Sequence, residues 1–198
     1  MFIKIRRFLP ETKVEGPGNR ACIWVQGCSI HCPDCAVPES WPTSGGEKVK
    51  VEELAQKILN IPNIEGITFS GGEPFDQAES LASLGRIVQK EGLSVVTFTG
   101  YTLENIQNST NPGWQDLLSV TDLLIDGPYV SEGSDPTNLW VGSSNQRYHF
   151  LTPRYLHLKY EILDISNRIE VRIQEDGSIL VNGMTNFSKL EDIFKGII

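Results

Sequence analysis

The chain has 198 residues, 39% of them hydrophobic and 21% charged, which suits one domain with a packed core and excludes a disordered chain. Basic residues number 17 against 25 acidic, a formal charge of −8, so no general attraction to phosphate backbones or anionic lipid is expected, and neither nucleic acid nor membrane is an expected partner. Residues 1–13 carry Lys4, Arg6 and Arg7 but no long apolar core, unlike a secretory signal, and no run approaches the roughly 20 apolar residues that span a bilayer. The expected compartment is the cytoplasm, where clustered cysteines bind metal or do chemistry more often than they form disulfides.

In chain order, residues 21–26 read as a buried strand running into a cysteine-rich loop. Residues 51–59 place Val51, Leu54, Ala55 and Ile58 at helical spacing. Residues 66–70 form a strand ending in Gly71-Gly72. Residues 76–90 repeat Leu81, Leu84, Ile87 and Val88 as a helix stopped by Gly92. A strand over 93–99, a short helix over 103–106, and a helical turn followed by a strand over 117–125 complete the series, closed by Asp126-Gly127-Pro128. This alternation predicts an α/β fold, a parallel sheet with right-handed crossovers that is either open and doubly wound or an arc of a barrel. In both cases ligands sit at the C-terminal ends of the strands. The cysteine loop, Gly71-Gly72-Glu73-Pro74, Thr99-Gly100-Tyr101 and Asp126-Gly127-Pro128 all fall there.

Beyond residue 150 the pattern changes. Residues 151–167 are irregular; 169–173 and 179–181 read as a hairpin around Glu175-Asp176-Gly177-Ser178, and 189–194 as a short helix. We therefore divide the chain into a core, 1–150, and an extension, 151–198, which is too small to fold alone. Its position suits docking a partner or covering the site.

The loop Cys28-Ser29-Ile30-His31-Cys32-Pro33-Asp34-Cys35 has the spacing C-x3-C-x2-C. Thiolates favour soft metals, zinc and iron–sulfur clusters. A structural zinc site wants four ligands in two pairs, whereas three close thiols fit three corners of a four-iron cube and leave one iron open. The alternatives are a closed site with Cys22 as fourth ligand, although Cys22 lies in an apolar strand where cysteine behaves as a small hydrophobe, and His31 as a ligand.

C-x3-C-x2-C after a strand is the signature of radical S-adenosylmethionine (SAM) enzymes. The chain resembles one branch in particular, the activating proteins of anaerobic ribonucleoside-triphosphate reductase. Residues 15–20 (Glu-Gly-Pro-Gly-Asn-Arg), 27–35, 70–74, 99–103, 124–130 and 142–147 carry the likeness in the family's order, over about residues 1–150.

The resemblance implies a partial (β/α) barrel with Cys28, Cys32 and Cys35 holding a [4Fe-4S] cluster, and SAM as the second cofactor. The cluster would cleave SAM reductively and generate a glycyl radical on the reductase, with reduced flavodoxin or ferredoxin as electron donor. Gly71, Gly72, Glu73 and Pro74 would bind the SAM amino group, Thr99 would line its sugar or methionine portion, and Asp126 would help order the site. Each has a plainer reading: a strand-to-helix turn for 71–74, a helix entry for Thr99, a turn cap for Asp126. Arg147 would meet a carboxylate of SAM or of a partner, or lie on the surface. Two departures stand out. Asp34 occupies a position often aromatic in these enzymes, which leaves backbone for any adenine contact, and Ala36-Val37 replaces the frequent Tyr-Asn. The rival functions are a radical SAM enzyme acting on another glycyl radical enzyme, a peptide or a metabolite, and a non-catalytic iron–sulfur or zinc module.

Overall fold

A computed structural model describes residues 1–134, 138–162, 165–184 and 195. The chain opens with β1 (Phe2–Thr12), β2 (Arg20–Val25) and β3 (Glu47–Lys50), then continues through α1 (Val51–Leu59), β4 (Gly66–Gly71), α2 (Ala78–Lys90) and β5 (Ser94–Phe98). It goes on through α3 (Leu103–Gln107), α4 (Pro112–Ser119), β6 (Leu123–Asp126), β7 (Arg147–Phe150) and α5 (Leu158–Glu161), and the hairpin β8 (Ile169–Ile173) and β9 (Ile179–Gly183) follows. The expected helix over 189–194 lies outside the described residues.

Seven strands form one sheet in the order β3-β1-β2-β4-β5-β6-β7. The centre, β2-β4-β5-β6, is parallel, and β1, β3 and β7 are antiparallel additions at its edges. The fold is thus the mixed α/β arrangement with a parallel-rich sheet. The central strands are buried on both faces, which is why they read as continuous apolar runs. Along β2, Ala21, Ile23 and Val25 face the helices in the main core, with Leu54 and Ile58 of α1 and Leu81 and Val88 of α2. Cys22 and Trp24 point the other way, against Leu9. On β6, Leu123 and Ile125 share that second face with Leu139, Trp140, Val141 and Tyr155. Among the described residues that face is covered by loop and short-helix segments.

At the N-terminal ends of the strands, Arg20 is fully buried. Its guanidinium donates to Thr68 Oγ1 (2.9 Å), Ile67 O (2.8 Å), Ser94 Oγ (3.0 Å) and Tyr155 Oη (3.0 Å), and also to Pro17 O. The network ties β2, β4, β5 and the Tyr155 segment together.

The β8–β9 hairpin docks on the segment leaving β1. Thr12 Oγ1 donates to Glu170 Oε2 (2.8 Å), Lys13 N to Glu170 Oε1 (2.9 Å), and Asn182 Nδ2 to Thr12 Oγ1 (2.9 Å). Gly183 N donates to Glu15 Oε1 (2.9 Å). Burial raises the Glu15 carboxyl from 4.5 to about 7, against the lowering effects of the Gly183 amide and Arg7. The folded state therefore favours protonated Glu15. The stability it contributes is whole below about pH 4.5 and is lost as pH rises through about 7. We expect Glu15→Gln, which keeps the acceptor and removes the charge, to gain stability relative to the parent as pH rises across that window. The gain should be of the order of 3 kcal/mol. Thermal melts of both proteins at matched pH check this, and a difference that does not change with pH would contradict it.

Candidate functional site

The exits of the four parallel strands, β2, β4, β5 and β6, meet at the C-terminal edge of the sheet. They enclose a cavity of about 170 Å³ lined by Cys28, Cys32 and Cys35 together with Gly71, Gly72, Glu73, Thr99, Gly100 and Gly127. Of the expected site residues, Asp34, Pro74 and Asp126 are not in its lining. Asp34 is exposed at the turn between two cysteines, with φ +57. Pro74 is buried and begins a 3-10 turn, Pro74–Gln77. Asp126 is buried directly before Gly127.

The cysteine loop is held from three sides. Asp76 accepts from Ser29 N (2.7 Å) and Ser29 Oγ (2.8 Å), and Ser29 Oγ also lies 2.7 Å from Tyr101 Oη. Gly27 O accepts from Glu73 N (2.8 Å). The His31 and Trp41 rings stack with centroids 4.8 Å apart, while Gln26 Nε2 donates to Pro42 O (2.8 Å). The approach of β4 to this loop explains Gly72: a Cβ there would sit 2.0 Å from Gly27 O. That glycine serves close packing of chain on chain, in addition to any ligand contact.

Glu73 is 1% exposed and its carboxylate is spent on the protein. Oε1 accepts from Phe75 N (2.8 Å) and Thr99 Oγ1 (2.8 Å), and Oε2 from Gly100 N (2.9 Å). It joins the exits of β4 and β5. Burial raises it from 4.5 to about 7 in spite of the three donors. Asp126 plays the corresponding part for β6. Burial alone would raise it, but Arg147, Leu103 N–H and His149 outweigh burial and hold it below its usual range. Arg147 Nε lies 3.0 Å from Oδ1 and Leu103 N 2.6 Å from Oδ2. The carboxylates that Arg147 meets are therefore the chain's own, Asp126 and Glu104 (2.7 Å).

Further lining residues include Tyr129 and Gln146, which lie in stretches that carry the family likeness but were assigned no site role, and Met184, which lies outside them. Their segments reach the cavity only through the fold.

The donor set fits an iron–sulfur cluster. Among the described residues no group of three His, Cys, Asp or Glu side chains closes on the position of a single ion, yet all three thiols line one cavity. Three thiols on one cavity whose lining holds no fourth cysteine among the described residues suit a cluster with one open iron better than a four-ligand zinc site. Burial pushes the Cys28 and Cys32 thiols up, while backbone N–H groups of His31 and Ile30 at Cys28, and of Tyr129 at Cys32, favour the thiolate. Val37 N donates to Cys35 Sγ at 3.5 Å. Half-buried sulfurs that meet amide donors are stable as anions once iron supplies the compensating charge. Cys22 is fully buried against Leu9 and Trp24, outside the cavity lining.

A family model described as a 4Fe-4S single cluster domain matches residues 14–149. The anaerobic ribonucleoside-triphosphate reductase-activating protein of Salmonella typhi is 32% identical over 158 residues, covering 75% of this chain and 99% of that protein. The protein of the same name from Vibrio cholerae is 33% identical, covering 74% and 97%. The chain belongs to this activating-protein family. A pyruvate formate-lyase-activating enzyme from Clostridium pasteurianum is 32% identical over 60% of this chain and 50% of that enzyme. As a family member the chain is a radical SAM enzyme with a [4Fe-4S] cluster and SAM as cofactors.

Replacing Glu73 by Ala removes the acceptor from the Phe75, Thr99 and Gly100 donors. We expect Glu73→Ala to lower the unfolding free energy by about 1–3 kcal/mol, read from denaturant melts of the apo protein near neutral pH. An unchanged midpoint would refute the staple. We also expect Cys28→Ala, Cys32→Ala and Cys35→Ala each to lose most cluster iron after anaerobic reconstitution, and Cys22→Ala to keep it. Equal loss from Cys22→Ala would restore the four-cysteine site.

Proposed function

We propose that this chain activates an anaerobic ribonucleoside-triphosphate reductase by generating a glycyl radical on it, with electrons from reduced flavodoxin or ferredoxin. It would act in the cytoplasm and without nucleic acid; among the described residues no helix is long and apolar enough to cross a membrane. The observation that carries the reading is the meeting of three thiols with the Gly71-Gly72 and Thr99-Gly100 turns at one cavity.

Cys28, Cys32 and Cys35 would bind three irons of the cluster and leave the fourth free of protein ligand. When bound, the cluster and SAM supply one-electron cleavage of a sulfonium C–S bond. The chain's own residues position and shield. Backbone at Gly71 and Gly72 and the Thr99 turn border the cavity on the β4 and β5 side, and we assign them to the amino and methionine portions of SAM. Glu73, committed to Phe75, Thr99 and Gly100, would set those turns rather than bind ligand with a free carboxylate. Pro74 fixes the start of the turn beyond. Asp126 would hold Gly127 and the start of α3 against the rim. Asp34, exposed, leaves only its backbone for an adenine contact.

We further infer that the sheet curves as an arc of a (β/α) barrel, with the helices outside and the reaction on the other face. Residues 1–150 would form the catalytic core and 151–198 an extension packed back on it. The test is anaerobic incubation with reductase, SAM and reductant, followed by electron paramagnetic resonance. A glycyl radical signal on the reductase is expected. SAM cleavage without that signal would point to a different target, and a cluster spectrum unmoved by SAM would point to a non-catalytic module.

A further inference from the structure

We propose that Met184, delivered by the β8–β9 hairpin, forms a wall of the cysteine cavity and restricts what reaches it. The inference deepens the proposed function and rests on its placing the reaction at that cavity. The thiols and the strand-end turns of the cavity lie within residues 14–149, the span of the family match. Met184 lies beyond that span, so this wall is an addition made by the extension.

The hairpin is placed by more than contact. Two strands alone are marginal in water and need a surface to pack on, and here Glu170 and Asn182 engage Thr12 and Lys13. The last anchor, Gly183 N to Glu15 Oε1 at 2.9 Å, is on the residue immediately before Met184. Gly183 has φ +95, and a Cβ on it would lie 2.2 Å from Arg168 O. The strand therefore ends in close backbone packing, in a conformation that favours glycine, at the step that brings Met184 to the cavity.

The side chain suits the task. A thioether has no N–H or O–H to offer, is unbranched, and fills irregular space against aromatic neighbours. Tyr129 and Phe98 line the same cavity. An adaptable apolar wall there narrows the approach to the thiols on the side of Met184 and favours a small group over a bulky one. A peptide residue without a side chain meets that condition.

The experiment uses the full apo chain and iodoacetamide, with labelling followed by mass spectrometry at each cysteine. Cys22, fully buried, reports on the integrity of the fold. We expect Met184→Ala to speed alkylation of Cys28, Cys32 and Cys35 severalfold while Cys22 stays protected, and Met184→Leu to restore the parent rates. In the reconstituted protein the same Met184→Ala change should speed bleaching of the cluster by oxygen. Unchanged labelling in Met184→Ala overturns the proposal. Acceleration that includes Cys22 overturns it equally, because it would signify general loosening and not loss of a wall. Because labelling needs neither cluster nor reductase, its failure leaves the activation assay untouched. Failure of activation by the parent protein leaves the wall standing and removes only its purpose.

Discussion

A buried carboxyl group, Glu73, sets the geometry on which the cavity depends. Its two oxygens take donors from Phe75, Thr99 and Gly100, on the exits of two neighbouring strands. Hydrogen bonds to a charged group contribute about 1.5–3 kcal/mol each, yet burial still raises this carboxyl to about 7, so desolvation is the larger effect. Glu73 is therefore a poor source of net stability and a good source of position, since its three donors tie the two turns to one carboxyl. Asp126 repeats the device one strand further on, with the charge compensated by Arg147. Together the two acids align the exits of β4, β5 and β6 around the space that three thiols line.

How much of this was legible in the sequence follows from which residues interact locally. The central strands and the helices α1 and α2 were readable because burial on both faces, or on one stripe, leaves a local pattern. The edge strands were not. Arg6 and Arg7 interrupt the alternation of β1 at an irregularity in its pairing with β2. The sequence of β3, Glu-Lys-Val-Lys, is charged as exposed edges often are. The strand β7 is four residues long, and its identity comes from pairing with β6. The choice between a doubly wound sheet and an arc of a barrel was not legible for a related reason: the described segments on the second face, including Tyr155 and Trp140, carry weak periodicity.

The site divides in the same way. Cysteine spacing and the Gly-Gly-Glu-Pro turn are contiguous signals, so they were visible. The partner of Arg147 was not, because the sequence shows a cation but not the antiparallel register that sets it opposite Asp126. Asp76 sat inside an expected helix and gave no hint that it grips Ser29 across 47 positions. Met184 is the extreme case, a lone apolar residue after a hairpin, whose place is decided by a polar seam more than 150 positions away in sequence.

The two ends of the sheet are stapled by opposite charges, and this has a structural cause. At the N-terminal ends of the parallel strands, Arg20 donates to the carbonyls of Pro17 and Ile67 and to the hydroxyls of Thr68, Ser94 and Tyr155. At the C-terminal ends the chain turns into helical segments, whose first N–H groups lack partners within the helix. Phe75 N and Leu103 N are such groups, and they point at Glu73 and Asp126. Acids there and a cation at the far end thus follow from strand direction. The cysteine loop enters the acid-stapled end, where its sulfurs find backbone donors of the same kind from Ile30, His31 and Tyr129. A rim already supplied with amide N–H groups is an economical place for anionic sulfur, and the direction of the parallel strands puts that rim where the cysteines emerge.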